Sequence, residues 1–449
     1  MAKMLEIAED VTLCKGAALR LLSQSRSGKP ATLLAASKPA ALKFVCQGPH
    51  MKSARSASFF QLFLVSVGLI SLLLMAGCGQ MVATSSIASS PTPTPTPAIT
   101  NPNNFVYVSV YDSSTVEGFK IDPAGNVSAI PGSPFAVPEG PIGLTRNQDF
   151  LFVGSDGINV LTPDKDMITS YRIDPATGAL TKVASLHTGI PLGLSVDPAG
   201  KFLYMPGVDV FTITPTGQLM EIPGAPFGSP SSLVFVQADI VFHPSAKFLY
   251  SSGFPDGHGA PGPFAIFASV DLTSGVPSNG QMLGPRTTSL AITPDGKFMV
   301  ASTGPPELQN QLCTYTIDPI TGAPSGASLG GKLVTPVSCA TTAGFQDQIA
   351  LNPDGTLVAV TGADGVSMFR LSNGTLSQIA GSPVAVSTPL SLVSFSRDGK
   401  YLFVAGAAED IVNPNHQLIV FQVNAATGAL TQASGSPFNL SAAPARLVP

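Results

Sequence analysis

Apolar and polar positions alternate in short runs along most of the chain, and the runs recur every 44 to 59 residues from Phe105 onward. Each period contains a tight turn of the Asp-Gly-Lys-Phe type, or a degenerate version of it, followed by an apolar run. A recurring period of this size is typical of repeat architectures, so the sequence predicts seven structural units. The first aromatic or apolar residues after the turns are Phe105, Phe150, Phe202, Phe248, Phe298, Leu357 and Tyr401.

The unit around Phe298 shows the order of signals within a repeat. An alternating apolar stretch (290–292), a tight turn (293–296) and a second run (297–300) are followed by a third run and an Asp-Pro-x-Thr-Gly turn at 318–322. Period-two patterning bounded by Pro, Gly and Asp predicts strands joined by hairpins. Four short strands per unit, without a helical period, predict an all-β protein with the architecture of a seven-bladed β-propeller.

The two ends of the repeat region complement each other. The first unit opens directly on its second strand, Asn104 to Val110, whereas Pro444 to Pro449 look like an inner strand without a unit of its own. We therefore predict that the C-terminal strand completes the first blade and closes the ring. Such an exchange avoids unpaired strand edges at a seam.

The region before the repeats is predicted to be a lipoprotein signal followed by a stalk. Residues 51–77 combine a basic start with an uncharged apolar run of 17 residues, and small residues precede Cys78. This arrangement resembles a bacterial lipobox, in which the Cys is acylated, so Cys78 is the predicted lipidation site. The alternative is an uncleaved anchor, for which 17 residues is near the short limit of a spanning helix.

Two further segments flank this signal. Residues 1–50 have no domain-scale pattern, and we interpret them as a mis-annotated upstream extension, with Met51 as the true initiator. Residues 78–103 are rich in Ser, Thr and Pro, which favours an extended, semi-rigid stalk. The propeller then occupies residues 104–449.

Composition restricts the partners and the compartment. Only 11% of residues are charged, the net charge is −4, and there is no basic patch, which excludes nucleic acid as an expected partner. We expect a monomer anchored to the membrane through its lipid, on the periplasmic or cell-surface side of the cell envelope. In a bacterium with two membranes this would be the outer membrane, because no Asp follows Cys78.

Two cysteines lie within the repeat region. Cys313 falls near the start of the third strand of its unit, and Cys339 is expected just beyond the fourth strand. Because those strands are antiparallel neighbours, we predict a disulfide in an oxidising compartment. Two buried free thiols are the alternative.

The turn motifs are similar to those of a known family. Ile173 to Thr181 (IDPATGALT), its near copy Val423 to Thr431 (VNAATGALT), and Gly-Ser-Pro-Phe at 132–135 and 435–438 resemble the lactonase-like seven-bladed propellers. That family includes bacterial 6-phosphogluconolactonases and many secreted proteins of unassigned activity. The resemblance covers nearly all of residues 104–449, and it implies the fold more strongly than it implies an activity.

The resemblance also implies where a hydrolytic site would lie. The family places catalytic groups in a Pro-His-x-His segment and in a Gly-Pro-Arg-His segment. Here the first segment reads Pro-Leu-Gly-Leu at 191–194, and the second is Gly-Pro-Arg-Thr, which keeps Arg286 but not the histidine. Hydrolysis of a lactone would therefore depend on Arg286 with His258 or His187, which occur in or near loops of the same face.

Other polar residues are candidate ligand-binding groups near the channel mouth. Asp239, Asp347 and Arg446 fall where inner strands begin, and His416 lies in a loop of the same face. Ion pairs that close the ring, and solvated loop histidines, are the alternative roles. Asp164-Lys165-Asp166 is expected to be a solvated turn. No metal-site or cofactor motif is present in the sequence, so none is predicted.

Two functions remain open from the sequence. The first is a binding or scaffold module whose loop face takes an envelope protein or a small ligand. The second is a lactone hydrolase with a departed active site. The missing histidines favour the first, whereas the family resemblance and Arg286 favour the second.

Overall fold

The computed structural model describes residues 104–122, 125–157, 165–205, 209–224, 235–255, 264–283, 287–303, 311–325, 335–342, 346–362, 364–386, 390–406 and 416–449. The predicted extension (1–50), signal peptide (51–77) and stalk (78–103) lie outside these residues. The described part is built from β-strands only, in seven antiparallel sheets. The predicted seven-bladed β-propeller is therefore confirmed.

The first four blades follow the predicted order of inner to outer strands. Blade 1 contributes a short additional strand, formed by the Gly-Ser-Pro-Phe motif, that pairs with its third strand. The strands are β1 (Asn104–Val110), β2 (Thr115–Ile121), β3 (Val127–Ala129) and β4 (Phe135–Ala136) in blade 1; β5 (Pro141–Arg146), β6 (Phe150–Ser155), β7 (Met167–Ile173) and β8 (Leu180–His187) in blade 2; β9 (Ser195–Val196), β10 (Phe202–Met205), β11 (Asp209–Ile213) and β12 (Leu219–Glu221) in blade 3; and β13 (Phe235–Phe242), β14 (Phe248–Pro255), β15 (Phe264–Val270) and β16 (Pro277–Leu283) in blade 4.

The remaining three blades repeat the pattern. The second Gly-Ser-Pro-Phe motif again forms a short strand beside the third strand of its blade. The strands are β17 (Thr287–Ile292), β18 (Phe298–Thr303), β19 (Gln311–Thr316) and β20 (Ser338–Thr341) in blade 5; β21 (Gln346–Leu351), β22 (Leu357–Gly362), β23 (Gly365–Ser372) and β24 (Thr375–Gln378) in blade 6; and β25 (Leu390–Phe395), β26 (Tyr401–Gly406), β27 (Gln417–Val423), β28 (Leu430–Gln432) and β29 (Phe438–Asn439) in blade 7.

The last strand, β30 (Pro444–Val448), supplies the inner strand of blade 1, as predicted. It pairs antiparallel with β1, with Val108 opposite Leu447 and Ser109 opposite Arg446. The sheet order β3-β2-β1-β30 therefore joins the two ends of the described region. This pairing covers the edge of β1 that would otherwise be open to another chain.

The core consists of seven hydrophobic clusters among the described residues, one at each interface between successive blades. The cluster between blades 7 and 1 includes Phe403 and Val420 of blade 7 together with Val106 and Val108 of blade 1. Both faces of each sheet are thus buried against a neighbour, which explains the unbroken burial of second strands such as β6 and β26.

Six of the seven residues that mark the repeats in the sequence pack beneath a glycine of the following blade. In blade 3, Gly217 has a φ of +88°, and a Cβ at this position would collide with the ring of Phe150 in blade 2. Only glycine meets both conditions, the left-handed backbone and the close approach. The same relation joins Phe105 to Gly178, Phe202 to Gly275, Phe248 to Gly322, Phe298 to Gly374 and Leu357 to Gly428.

Buried tyrosines add hydrogen bonds to these interfaces. The Tyr204 hydroxyl donates to the carbonyl of Gly275 at 2.7 Å, in the turn of the next blade, and Tyr107 donates to Gly178 at 2.6 Å. Tyr315 is also buried, but its hydroxyl has no hydrogen-bond partner among the described residues. Tyr107 and Tyr204 therefore each make a hydrogen bond to the next blade, whereas Tyr315 is buried without such a bond.

Candidate functional site

The propeller has two faces, which we name by their connections. The turn face carries the tight turns between first and second strands and between third and fourth strands, such as Asn147–Asp149 and Asp174–Gly178. The loop face carries the connections between second and third strands and those between blades. The described candidates His187 and His416 lie at the loop face, which is the usual place for variable binding segments on a rigid scaffold.

The structure places the described candidates on different strands of the loop face. His187 is the last residue of β8, the outermost strand of blade 2, and its side chain is exposed. His416 precedes β27, a third strand, and is half-buried, with its carbonyl accepting from the Leu440 amide at 2.7 Å. Arg446 lies on the innermost strand, β30. The strands that carry or adjoin these three residues therefore lie at different distances from the channel.

The other candidates are described only in part or not at all. Arg286, His258 and the predicted lipidation site Cys78 lie outside the described residues. Asp347 is the second residue of β21, which fits its predicted place at the start of an inner strand. Asp239 instead lies in the middle of β13, opposite Ser252, because that strand begins at Phe235. The predicted ring-closing role of Arg446 has no support in the described ion pairs, which do not include it.

Buried residues occupy two positions where the family resemblance implies histidine. Leu194 is 8% exposed and packs in the hydrophobic cluster between blades 2 and 3. Thr287, directly after Arg286, is 3% exposed and pairs with Thr303 at the start of β17. Neither side chain can accept a proton at neutral pH, so these positions supply no general base.

His243, on the turn face, has a packing role. It is buried, its Nδ1 lies 2.7 Å from the Ser245 hydroxyl, and its Nε2 lies 3.0 Å from the carbonyl of Gly296 in blade 5. Both ring nitrogens thus have partners within the turns. This histidine connects blades 4 and 5 and is not available to a ligand.

A group of polar residues on the loop face was not predicted, and we call Tyr111, Asp156 and Asp166 the acidic cluster. Tyr111 follows β1, Asp156 follows β6, and Asp166 precedes β7. The Tyr111 hydroxyl donates to both carboxylate oxygens of Asp156, at 3.2 and 3.3 Å. Asp156 is 9% exposed and Asp166 is 4% exposed, so both carboxyl groups are withdrawn from solvent. The expectation of a solvated turn is therefore wrong for Asp166.

The connections around the cluster hold it in place. The Asp156 amide donates to the carbonyl of Gly140 at 3.0 Å, and the carbonyl of Asp166 accepts from the Thr188 amide at 3.1 Å. An exposed ion pair between Lys165 and Glu139, 2.8 Å long, lies beside it. The two aspartates are thus positioned by backbone bonds from separate connections of blade 2.

The surroundings of the cluster raise the pKa of two of its members, Asp166 and Tyr111. Burial raises the pKa of Asp166, and the negative charge of Asp156 raises it further. Burial and the neighbouring Asp156 also raise the pKa of Tyr111 to about 12, so its hydroxyl remains a donor at neutral pH. The cluster can therefore accept hydrogen bonds at Asp156 and at the Tyr111 hydroxyl oxygen, whose single proton is donated to Asp156.

A disulfide joins Cys313 in β19 to Cys339 in β20, with the two sulfur atoms 2.00 Å apart. The pair is the one expected from the sequence, but the expected position of Cys339 is wrong by a small margin, since it lies within the fourth strand. The two residues are directly opposite each other in the antiparallel register. Their bond closes a loop of 26 residues across the outer strands of blade 5.

Metal and membrane features of the described part are limited. No group of three His, Cys, Asp or Glu side chains in these residues is arranged to hold a metal ion. The described ranges also contain no helix of the length and apolarity that a bilayer crossing requires.

Comparisons with known proteins agree on the fold. Residues 98–235 match the family model described as lactonase, 7-bladed beta-propeller. The crystal structure of a candidate 6-phosphogluconolactonase from Bacteroides uniformis is similar with a TM-score of 0.57 and 18% identity, covering 77% of this chain and 99% of that one. A second candidate 6-phosphogluconolactonase, from Bacteroides fragilis, gives 0.55 and 18%, covering 79% and 99%. A protein from Lactobacillus plantarum gives 0.57 and 16%, covering 77% and 98%. No curated protein matches the chain.

Proposed function

We propose that this chain, a seven-bladed β-propeller similar to the lactonase family, acts as a lipid-anchored binding module of the cell envelope rather than as a hydrolase. The observation that carries this proposal is the buried Leu194 and Thr287 at positions where the family resemblance implies histidine. The described histidines of the loop face, His187 and His416, do not replace them, because they lie on an outermost strand and beside a third strand.

The acidic cluster is the proposed contact site for the ligand. Its buried carboxylate and half-buried phenol favour a small molecule or an envelope component that presents hydroxyl or amino groups, since such groups donate to Asp156 and to the Tyr111 hydroxyl oxygen. Buried polar groups of this kind give a pocket its specificity, because a ligand without matching groups leaves them unpaired.

The anchor and the compartment are part of the proposal. The lipobox-like residues before Cys78 motivate the anchor, and the disulfide between Cys313 and Cys339 supports an oxidising compartment outside the cytoplasm. Metabolic labelling with an alkyne fatty acid tests the anchor. We expect label on the wild-type protein and none on Cys78→Ser. Equal labelling of the two would contradict the anchor without affecting the binding proposal.

A lactone hydrolase is the second candidate. Its support is the family match, the two Bacteroides neighbours, and the raised pKa of Asp166, which is a property of groups that transfer protons. In this function Arg286 would stabilise the oxyanion and a carboxyl or histidine of the loop face would activate water. The acidic cluster would then serve as an acid–base site instead of a ligand contact.

A lactone panel that includes 6-phosphogluconolactone distinguishes the two candidates. With purified protein, we expect hydrolysis no faster than in buffer, and we expect a thermal-shift screen of polyols, amino sugars and lactones to identify a ligand whose effect is lost in Asp156→Asn. The control is Asp364→Asn, an exposed aspartate of blade 6. Turnover that disappears in Arg286→Ala would overturn the binding proposal in favour of the hydrolase.

A further inference from the structure

The two aspartates of the acidic cluster face each other across the connection between the second and third strands of blade 2. The last pair in the antiparallel register of β6 and β7 is Ser155 opposite Met167. The two chain segments remain side by side beyond this pair, because a Cβ built on Gly157 would collide with the Cβ of Lys165. The aspartates lie between these two contacts, one on each segment. Residues opposite each other in an antiparallel pair have Cα atoms about 4.5 to 5.5 Å apart, so the two carboxyl groups are neighbours.

The carboxyl group of Asp166 is enclosed without a partner in the described part of the chain. The residue is only 4% exposed. Its backbone carbonyl accepts from the Thr188 amide, but no hydrogen bond or ion pair among the described residues reaches its carboxylate oxygens. The adjacent Lys165 does not supply a counter-charge, since its Nζ lies 2.8 Å from a carboxylate oxygen of Glu139. Buried polar groups nearly always have a partner, so this carboxyl group indicates a partner that arrives with a ligand.

The charge at this position favours a cationic ligand over a neutral one. Burial raises the pKa of Asp166, and the charge of Asp156 raises it further. Like charges directly opposite each other destabilise an antiparallel pair. A cation between the two carboxyl groups removes this repulsion, and its attraction to each of them is strengthened by their withdrawal from water. A neutral hydroxyl group donates a hydrogen bond but leaves the two charges opposed.

The oxygens of the acidic cluster match an ammonium group better than a metal ion. A primary ammonium has three N–H donors and no acceptor. Three groups can accept them: the carboxylates of Asp156 and Asp166, and the oxygen of Tyr111, whose own proton is donated to Asp156 at 3.2 and 3.3 Å. Calcium takes about six to eight oxygen ligands. In the described residues, no group of three His, Cys, Asp or Glu side chains is arranged to hold a metal ion.

We propose that the ligand of the acidic cluster is a primary amine, bound as its ammonium ion between Asp156 and Asp166, with the third N–H directed to the Tyr111 oxygen. This ligand class rests on the binding function proposed for the same cluster and narrows it, because a neutral polyol would leave the two carboxyl groups without a counter-charge. Amino sugars, amino alcohols and alkylamines belong to the class.

Calorimetric titration of the purified protein with matched pairs of probes tests the ligand class. The members of each pair differ in one amino group: butylamine and butanol, ethanolamine and ethylene glycol, glucosamine and glucose. The titrations are made at neutral pH in phosphate buffer, because Tris is itself a primary amine. We expect saturable binding of an amine in at least one pair. Its neutral partner should bind about tenfold or more weakly, since hydrogen bonds between charged groups are the stronger ones.

Variants of the cluster locate the binding. Asp166→Asn keeps the shape of the side chain and removes its charge, and we expect it to weaken amine binding about tenfold or more. Tyr111→Phe removes only the third acceptor and should weaken amine binding by a smaller factor. Asp364→Asn is the matched control, because Asp364 is an exposed aspartate in the corresponding connection of blade 6, and it should bind as the wild type does. Circular dichroism checks that each variant is folded.

Three results would overturn the ligand class. Equal affinities for an amine and its neutral partner, or an unchanged amine affinity in a folded Asp166→Asn variant, would overturn it alone, since binding lost in Asp156→Asn would still support the binding function. Saturable binding of calcium chloride that displaces the amine would replace the ammonium ion by a metal ion. If no probe binds to the wild-type protein, the ligand class fails and the binding function loses its contact site as well.

Discussion

Replacing Tyr204 by Phe isolates one hydrogen bond between blades. The hydroxyl of Tyr204 is fully buried and donates to the carbonyl of Gly275 at 2.7 Å, while the ring packs edge-on against Phe242 at 4.8 Å. Phenylalanine keeps the ring and removes only the donor. The loss of one buried hydrogen bond costs about 1 to 1.5 kcal/mol, and more when the carbonyl stays unsatisfied.

Tyr315 is the matched control in the same protein. It is equally buried, but its hydroxyl has no partner among the described residues, so Tyr315→Phe removes a desolvated polar group without breaking a bond. We expect this variant to be as stable as the wild type or slightly more stable. The difference between the two variants therefore measures the hydrogen bond itself rather than the effect of a missing oxygen atom.

Thermal and urea denaturation, followed by far-UV circular dichroism, check this prediction. Roughly 350 residues unfold with an entropy of about 0.7 kcal/mol/K, so a loss of 1 to 1.5 kcal/mol lowers the Tm by roughly 1.5 to 2 °C. The slope of the urea transition should not change, because little surface is altered. Equal Tm values for Tyr204→Phe and Tyr315→Phe would refute the reasoning, since the bond to Gly275 would then contribute nothing.

Three further predictions use the same assays. Asp166→Asn should be more stable than the wild type at pH 7 to 8. Because the pKa of Asp166 is raised in the folded state, its carboxyl contributes stability below the unfolded pKa near 4 and loses this contribution as the pH rises. The difference in stability between the variant and the wild type should therefore vanish as the pH falls below about 4. A constant difference across this range would contradict the assignment. Reduction of the Cys313–Cys339 disulfide should cost about 3 kcal/mol for its loop of 26 residues, and an unchanged urea midpoint would argue against the bond. Gly217→Ala should destabilise more than Gly381→Ala, because both glycines have positive φ but only the first would place a Cβ against a core ring; equal losses would show that the contact is not needed.

Local patterns were sufficient to predict the fold. The turn signals and the period-two runs are properties of neighbouring residues, and each repeat carries them independently, so seven copies could be counted before any tertiary contact was known. The structure explains why the anchoring aromatic recurs, as with Phe150, which packs beneath Gly217 of the next blade. The closing strand was also predictable, because an inner strand was missing at one end and surplus at the other.

The site was predicted far less well, because it depends on distances that the sequence does not contain. His187 and Arg446 share a face of the propeller, but the structure separates them radially, on an outermost and an innermost strand. Asp166 looked like part of a solvated turn, and only the packing of blades 1 and 2 shows that it is buried near Asp156. No spacing signal could have indicated this, since Tyr111 is 45 residues from Asp156.

Ring closure at blade 1 shows the same division most clearly. Strand number, turn positions and ring closure follow from short-range chemistry that every repeat expresses in its own residues. The meeting of Arg397 with the backbone of Asn147 joins residues 250 positions apart. It exists only because the ring closes at blade 1, where no turn separates blades 7 and 2. Closure brings distant residues together, and contacts of this kind are a property of the folded ring alone.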